Sequence, residues 1–431
     1  MQLNIRQFRP FPPFPPFPPF PQLPLFSLLM LFGGIAHATD GYFQHGYGVR
    51  SQGAGGVGIA LPQDGLAAAS NPAGTAFVGD RLDVGLTWFS PTRGAEVTGN
   101  QGPVNGSFDG SGKKNFFLPE IGWVKQINPQ LAAGIAVYGN GGMNTTYRSG
   151  VPLFGSGEAG VNLEQLFIAP NVAWKVNESH AFGLAVNFAY QRFEAKGLSN
   201  FDNALFSSSP GNVTDRGTDT STGWGLHLGY IGKITPDLTV GATWSSKIKA
   251  SKFDKYQGLF SDGGSFDIPE NYGIGLAYKL TPALTLAADV NKIVYSGVSS
   301  VAAPIANFAS ARLGSSTGPG FGWQDVTVYK IGTVYEVTPN LTLRAGYNHA
   351  SQPIPSSQTL FNILAPGVVQ DHVSVGGTYK LAGGGEVSLA YTHAFKKTIN
   401  GAASIPPSFG GGNANVHLEE DILGVAYTWK F

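Results

Sequence analysis

The chain has 431 residues, of which 13% are charged, against ~25% in ordinary soluble domains, while glycine numbers 60 and aromatic residues make up 12%. Lysine plus arginine and aspartate plus glutamate each total 27, so nothing resembles the electrostatic footprint of a nucleic-acid binder. Cysteine is absent, which excludes disulfide frameworks, cysteine-ligated zinc and thiol catalysis.

In chain order, residues 1–38 read as a secretory signal peptide. They carry Arg6 and Arg9 and no acid, then a Leu/Phe-rich run over 23–35, then Ala36-His37-Ala38 as a small-residue cleavage site. The Phe-Pro-Pro repeat over 11–21 is unusual there, because proline cannot sit inside the helix that an apolar region usually forms. It is either a true extension or the mark of a start placed too far upstream. The apolar run is too short to span a bilayer, which takes ~20 residues as a helix.

Residues 39–80 are set apart by Gly41, Gly46, Gly48, Gly53, Gly55, Gly56 and Gly58, a small-residue run over 66–70, and Asn71-Pro72-Ala73-Gly74. So short a segment buries too little surface to fold alone, so it is expected to fold inside a larger element. Gly53-Ala54-Gly55-Gly56-Val57-Gly58 matches the dinucleotide pattern G-x-G-x-x-G. The buried strand, following helix and downstream acid of a βαβ unit are missing, so the glycines are read as sites of close backbone packing.

From Arg81 onward the dominant signal is period-two alternation. Leu82, Val84, Leu86 and Trp88 alternate with Asp83, Gly85 and Thr87, and Phe182, Leu184, Val186, Phe188 and Tyr190 with Gly183, Ala185, Asn187 and Ala189. Leu238 to Ser245 and Leu341 to Asn348 repeat the pattern, and Leu423, Val425, Tyr427, Trp429 and Phe431 end it. In strands such sets point to opposite faces, one apolar and one polar or small. Thr-Pro-x-Leu-Thr recurs at 235–239, 281–285 and 338–342, with Asn128-Pro129-Gln130-Leu131 a shorter version; proline presets a tight turn there. Further short turns fit at 177–179 and 382–384. Long Gly/Ser/Asn/Pro-rich stretches lie between, at 91–111, 150–162, 199–220, 299–320 and 398–415.

Six tight turns join twelve strands, and one more at each end, 81–89 and 416–431, gives fourteen. An even count, short turns opposite long loops and ~10-residue alternating segments point to a transmembrane β-barrel of the outer-membrane type. The fold class expected is all-β: a 14-stranded antiparallel transmembrane barrel over 81–431, with 39–80 as a small N-terminal hatch in its lumen. A soluble β-sandwich would place charge on its outer faces, and here the polar set is mostly Gly, Thr, Ser, Asn and Ala.

The Gly-rich mature N-terminus, Asn71-Pro72-Ala73 just before the first strand, the strand count and the terminal Phe431 together resemble the FadL/TodX family of outer-membrane transporters for hydrophobic compounds. The resemblance covers essentially the whole mature chain. It implies a hatch filling the barrel, an inward kink in the third strand, a hydrophobic pocket near the mature N-terminus, and a hydrophobic surface groove formed by the third and fourth extracellular loops. The third strand runs from Leu131 to Gly139-Asn140-Gly141-Gly142, where Gly139, Gly141 and Gly142 permit an inward bend and a lateral opening; the alternative is a simple loop start. Loop three offers Leu198, Phe201, Leu205 and Phe206, and loop four Phe253, Tyr256, Leu259 and Phe260, as an exposed capture groove, unless they pack on each other. Tyr427, Trp429 and Phe431 resemble the C-terminal signal read by the barrel-assembly machinery, and also suit an interface girdle.

The function expected is passive transport of hydrophobic compounds, foremost long-chain fatty acids, across the outer membrane of a Gram-negative bacterium. Capture would occur at the loop groove and release would be lateral, through the wall. Aromatic hydrocarbons by the same route are the alternative, and a diffusion porin for polar solutes is a weaker one. Arg50, Arg81 and Arg344 are candidate lumen cations for a fatty-acid carboxylate. No enzyme is expected, since His227, His349, His372 and His393 show no spacing that makes a catalytic dyad. No cofactor or metal is expected, and His417 with Glu419-Glu420-Asp421 reads as a solvated strand edge. Expected partners are a hydrophobic small molecule or fatty acid, outer-membrane lipids, and the assembly machinery through Phe431. Nucleic acid is not expected, and the barrel is expected to be a monomer.

Overall fold

The computed structural model describes residues 40–431; the signal-peptide reading of 1–38 lies outside the described residues. The strands are β1 (Arg81–Thr98), β2 (Gly106–Asp109), β3 (Phe116–Asn128), β4 (Leu131–Asn144) and β5 (Gly160–Lys175). They continue as β6 (His180–Lys196), β7 (Asp219–Lys233), β8 (Leu238–Ser245), β9 (Asn271–Thr281) and β10 (Leu284–Ile293). The last are β11 (Val326–Thr338), β12 (Leu341–Ala350), β13 (Asp371–Lys380), β14 (Glu386–Ile399) and β15 (Asn413–Lys430). Each pairs antiparallel with its neighbours, and β1 pairs with β15 from Arg81↔Lys430 to Thr98↔Asn413. The result is a closed 14-strand barrel in which β2 is an extra ribbon folded back on β1.

The repeated turn motif has a local cause. Thr235 Oγ1 accepts from the N–H groups of Asp237 and Leu238, Thr281 Oγ1 from Ala283 and Leu284, and Thr338 Oγ1 from Asn340 and Leu341, at 3.0–3.3 Å. Asn128 and Asn177 do the same with their side-chain carbonyls at 2.8–2.9 Å. The side chain satisfies donors that the turn leaves unpaired, while proline contributes none. These turns join β3–β4, β5–β6, β7–β8, β9–β10 and β11–β12, and the 382–384 turn joins β13–β14.

The alternation sorts faces as the sequence predicts. Phe182, Leu184, Phe188 and Tyr190 stand exposed on the outer wall, while Gly183, Ala185, Asn187 and Ala189 are buried inside. The strand at 81–89 is longer than expected: β1 runs through Pro91 to Thr98, and part of the expected 91–111 loop is β2. Proline argued for a loop, yet Pro91 lies where β1 has only β15 beside it, since β3 pairing stops at Phe89↔Phe116 and β2 pairing starts at Gly94↔Asp109. One unpaired edge is where a sheet tolerates proline.

Residues 40–80 lie against the inner face of the wall on several sides. The short helix Val49–Gly53 packs on β12 to β15, and the 3₁₀ helix Pro72–Phe77 packs on β4 to β7. Facing glycines allow this closeness: a Cβ on Gly376 would press on Gly53, and one on Gly122 would overlap the Gly65 backbone.

Candidate functional site

Asn71-Pro72-Ala73 fastens the segment to one side of the lumen. Asn71 Oδ1 accepts from Ala73 N at 3.0 Å, capping the 3₁₀ helix, while its Nδ2 donates to Ile59 O at 2.7 Å and to Tyr230 O on β7 at 3.0 Å. A Cβ at Gly183 would collide with the Pro72–Ala73 backbone, and one at Gly229 with Asn71 Oδ1. Wall carboxylates hold further points: Asp289 accepts from Gly58 N and Ile59 N at 2.8 and 3.1 Å, Asp83 from Gly65 N at 2.8 Å, and Glu120 from Val49 N at 3.0 Å.

The three arginines proposed as lumen cations are engaged in the same fastening. Arg50 bonds Glu386 at 2.5 Å and Thr428 at 3.0 Å, and Arg81 bonds Asp83 at 2.6 and 2.9 Å. Arg344 bonds Gln63 and Thr378, each at 2.7 Å.

The third wall strand, β4, is split in its pairing. Its lower half pairs with β3 only as far as Ile121↔Val137, while its upper half stays paired with β5 across a bulge between Gly139 and Gly141. Opposite that upper half, Phe116 to Glu120 of β3 pair only with β1. The freed edge of β4 turns instead to the N-terminal segment. Phe43 bridges Gly141, Gln44 N donates to Asn140 O at 3.2 Å, and Gly142 N donates to Tyr42 O at 2.9 Å. A side chain at Gly141 would overlap Tyr42 O, so glycine is required by a close backbone approach. Five unpaired β3 positions correspond to a seam roughly 17 Å long at ~3.4 Å per residue. Above it, Arg93 of β1 reaches across to Asn144 O at 2.6 Å and Lys113 O at 2.8 Å, and Gly112 N donates to Thr146 O at 3.0 Å. Gly139, Gly141 and Gly142 thus all lie at this seam.

The loop aromatics are placed differently from an open groove. Phe201, Phe253 and Phe260 are buried, Phe206 and Leu259 partly so, and Leu205 alone of the six stands out, at 70% exposed. Other rings cover them: Phe253 and Phe260 close on Phe193 of β6 at 5.7 and 4.6 Å between centroids, and Phe206 packs on Phe201 of its own loop at 5.7 Å. Phe193, Phe201 and Phe260 line an apolar pocket, together with Phe154, Phe321 and Phe361 among others. Ser300 supplies the pocket's one polar side chain among the described residues, and its hydroxyl is already bonded to Ser261 N and Ser265 O.

From this pocket a line of rings leads to the seam. Phe260 meets Phe266 at 4.9 Å, Phe266 meets Tyr42 at 6.2 Å, and Tyr42 meets Phe43, which pairs with Gly141. Tyr42 is also flanked by Tyr295 and Trp323 at 5.2 and 6.0 Å, and its N–H donates to Tyr295 Oη at 3.1 Å. Sequence reasoning missed Tyr42, Phe266, Tyr295 and Trp323; the one available signal was adjacent aromatics inside a glycine-rich segment. Burial pushes the Asp40 carboxyl upward, against Lys330 at 3.5 Å, and pushes Asp64 upward with help from the Asp83 charge.

The remaining sequence candidates scatter. His349 pairs with Asp371 at 2.7 Å at the loop ends of β12 and β13, and His393 pairs with Asp421 at 3.0 Å midway along β14 and β15. Glu419-Glu420-Asp421 is not one solvated edge: Glu419 and Asp421 are partly exposed, whereas Glu420 is fully buried, because neighbours in a strand point to opposite faces. Phe431 follows β15 and is 62% exposed.

The family model described as "Outer membrane protein transport protein (OMPP1/FadL/TodX)" matches residues 42–431. The chain belongs to this family. It is an outer-membrane β-barrel, and the family transports hydrophobic compounds. No curated protein sequence matches it. Solved structures similar to it include the Pseudomonas putida toluene transporter TodX, at 19% identity and TM-score 0.67, covering 90% of this chain and 99% of that one. A Pseudomonas aeruginosa FadL homologue gives 18% and 0.68, covering 91% and 100%. The Ralstonia pickettii toluene transporter TbuX gives 17% and 0.63, covering 90% and 99%. At these identities the likeness is one of fold.

Proposed function

We propose that this FadL/TodX-family barrel carries neutral hydrophobic molecules passively, from the loop pocket along the Phe260–Phe266–Tyr42 line to the β3–β4 seam. The observation that supports this reading is the line of rings in contact between the pocket and the stretch of β3 that lacks ladder pairing with β4. A ligand leaving water gains ~25 cal/mol per Å² of apolar surface removed, so an apolar pocket is a sufficient capture device. Residues 40–80 act as the hatch. Movement of 40–47 would vacate the edge of β4 and open the seam towards the lipid, where such a ligand partitions. Leu205, exposed at the rim beside Phe206, is the first contact.

The substrate class follows from the pocket's chemistry. A long-chain fatty acid needs a partner for its carboxylate, yet no charged side chain lines the loop pocket, and Arg50, Arg81 and Arg344 are held by the hatch and the wall. This favours alkyl and aromatic hydrocarbons over fatty acids. Cells with and without the gene, given radiolabelled butylbenzene or hexadecanoate, test the reading. Gene-dependent uptake of the hydrocarbon is expected. Equal uptake by both strains would overturn the transport reading, and dependence for hexadecanoate alone would overturn the substrate class.

A further inference from the structure

A second, small pocket lies at the upper end of the seam. Phe89, Met143, Pro366 and Leu418 make its apolar lining, and Arg93 and Glu420 project into it. Glu420 is 0% exposed and neither of its carboxyl oxygens has a hydrogen-bond partner. Burying a carboxyl without partners is unfavourable by several kcal/mol in an apolar surrounding, so a group retained this way is a strong candidate for a ligand contact. Arg93 does not satisfy it. The guanidinium donates to Asn144 O, Pro91 O and Lys113 O at 2.6–3.0 Å and to the Asn144 side chain, and it makes no ion pair among the described residues.

We propose that this pocket binds the hydroxyl head of a neutral lipophile, such as an alkylphenol or alcohol, with Glu420 as its hydrogen-bond partner. The inference rests on the transport reading above and adds to it a polar selectivity point beside the exit. Three head groups are distinguishable by charge. A carboxylate would bury a charge with no free donor to meet it, since the donors of Arg93 are committed to backbone oxygens and to Asn144. An ammonium would put a second cation beside the committed Arg93. A hydroxyl brings no charge, donates to one carboxyl oxygen, and leaves its hydrocarbon part to the phenylalanine, methionine and leucine lining. Met143 and Asn144 belong to the upper half of β4, and Phe89 packs on Phe116 of β3 at 6.1 Å, so an occupant here touches one side of the seam and lies one ring from the other.

The test compares 4-butylphenol, butylbenzene and 4-butylbenzoate for binding to the purified full-length barrel in detergent, by equilibrium dialysis. Wild type is expected to bind the phenol most tightly. Glu420→Leu is expected to weaken the phenol about tenfold while leaving butylbenzene unchanged, because a hydrogen bond to a buried carboxyl is lost for one ligand only. Glu420→Gln, which keeps shape and one acceptor oxygen, gives a smaller loss and guards against misfolding; heat-modifiable electrophoretic mobility confirms that each barrel is folded. Equal changes for phenol and butylbenzene, no change for either, or benzoate binding as tight as phenol would overturn the proposal. If wild type binds none of the three, the transport reading falls with it.

Discussion

Residues 40–80, the hatch of the proposed function, meet the wall in two different ways. Against β7, β8 and β10 it is fastened by side chains, Asn71 and Asp289 among them, onto a wall whose own strand pairing is continuous. At β4 it supplies the pairing itself, through Tyr42, Phe43 and Gln44. Losing the first set loosens the hatch but leaves the wall closed. Losing the second exposes an unpaired edge towards β3. On the proposed reading, movement of residues 40–47 and opening of the seam would therefore be one event at β4 and separate events elsewhere.

The largest effect is expected from Gly141→Val. Its side chain would occupy the position of Tyr42 O and break two backbone hydrogen bonds, destabilising docking of the N-terminal segment by about 2–4 kcal/mol from overpacking and lost bonds together. Hydrogen exchange should rise sharply over 40–47 and remain near wild type over 67–77, with faster uptake of the hydrocarbon. Uniform exchange along the whole hatch would show that the two attachments are not separate. Asn71→Ala should give the converse pattern with a smaller effect. Losing the cap and the bonds to Ile59 O and Tyr230 O should weaken docking by about 1–3 kcal/mol. Exchange should then rise over 67–77 while hydrocarbon uptake stays close to wild type. An uptake change as large as that of Gly141→Val would break the distinction.

What could be read from the sequence was what is decided locally. The Thr-Pro-x-Leu turns are legible because Thr235, Thr281 and Thr338 bond donors two and three residues away. The two faces of β6 are legible because Cβ direction alternates with certainty in a strand. Gly139, Gly141 and Gly142 marked a permissive stretch, but the partner that makes Gly141 obligatory is Tyr42, remote in sequence. The loop rings misled for the same reason: composition made Phe253 and Phe260 an exposed apolar cluster, and only the third dimension supplies Phe193 to cover them. Pro91 showed the reverse error, where a strong local signal was overruled by an edge that needed no donor.

A weaker way to separate the two attachments uses pH, since each carries a buried hatch carboxyl. Asp40 sits at the seam end, facing Lys330 of β11 and Asn348 of β12; Asp64 sits beside Asp83 of β1, with Arg50 and Arg81 nearby. Burial raises both above the ordinary carboxylate range. The docked hatch therefore holds protons that a released hatch gives up. Docking is fully supported below the ordinary carboxylate values and declines as pH rises from them through the raised ones. Each carboxyl contributes at most ~1.4 kcal/mol per pH unit, only within that window, and the cations oppose it. Hydrogen exchange over 40–66, corrected for intrinsic rates, should quicken as pH rises above the ordinary carboxylate range. Asp40→Asn should flatten the response over 40–47 alone, and Asp64→Asn only around its own contacts. If either substitution flattens both, the seam and the side-chain fastenings respond as a single body, and the distinction drawn from β4 fails.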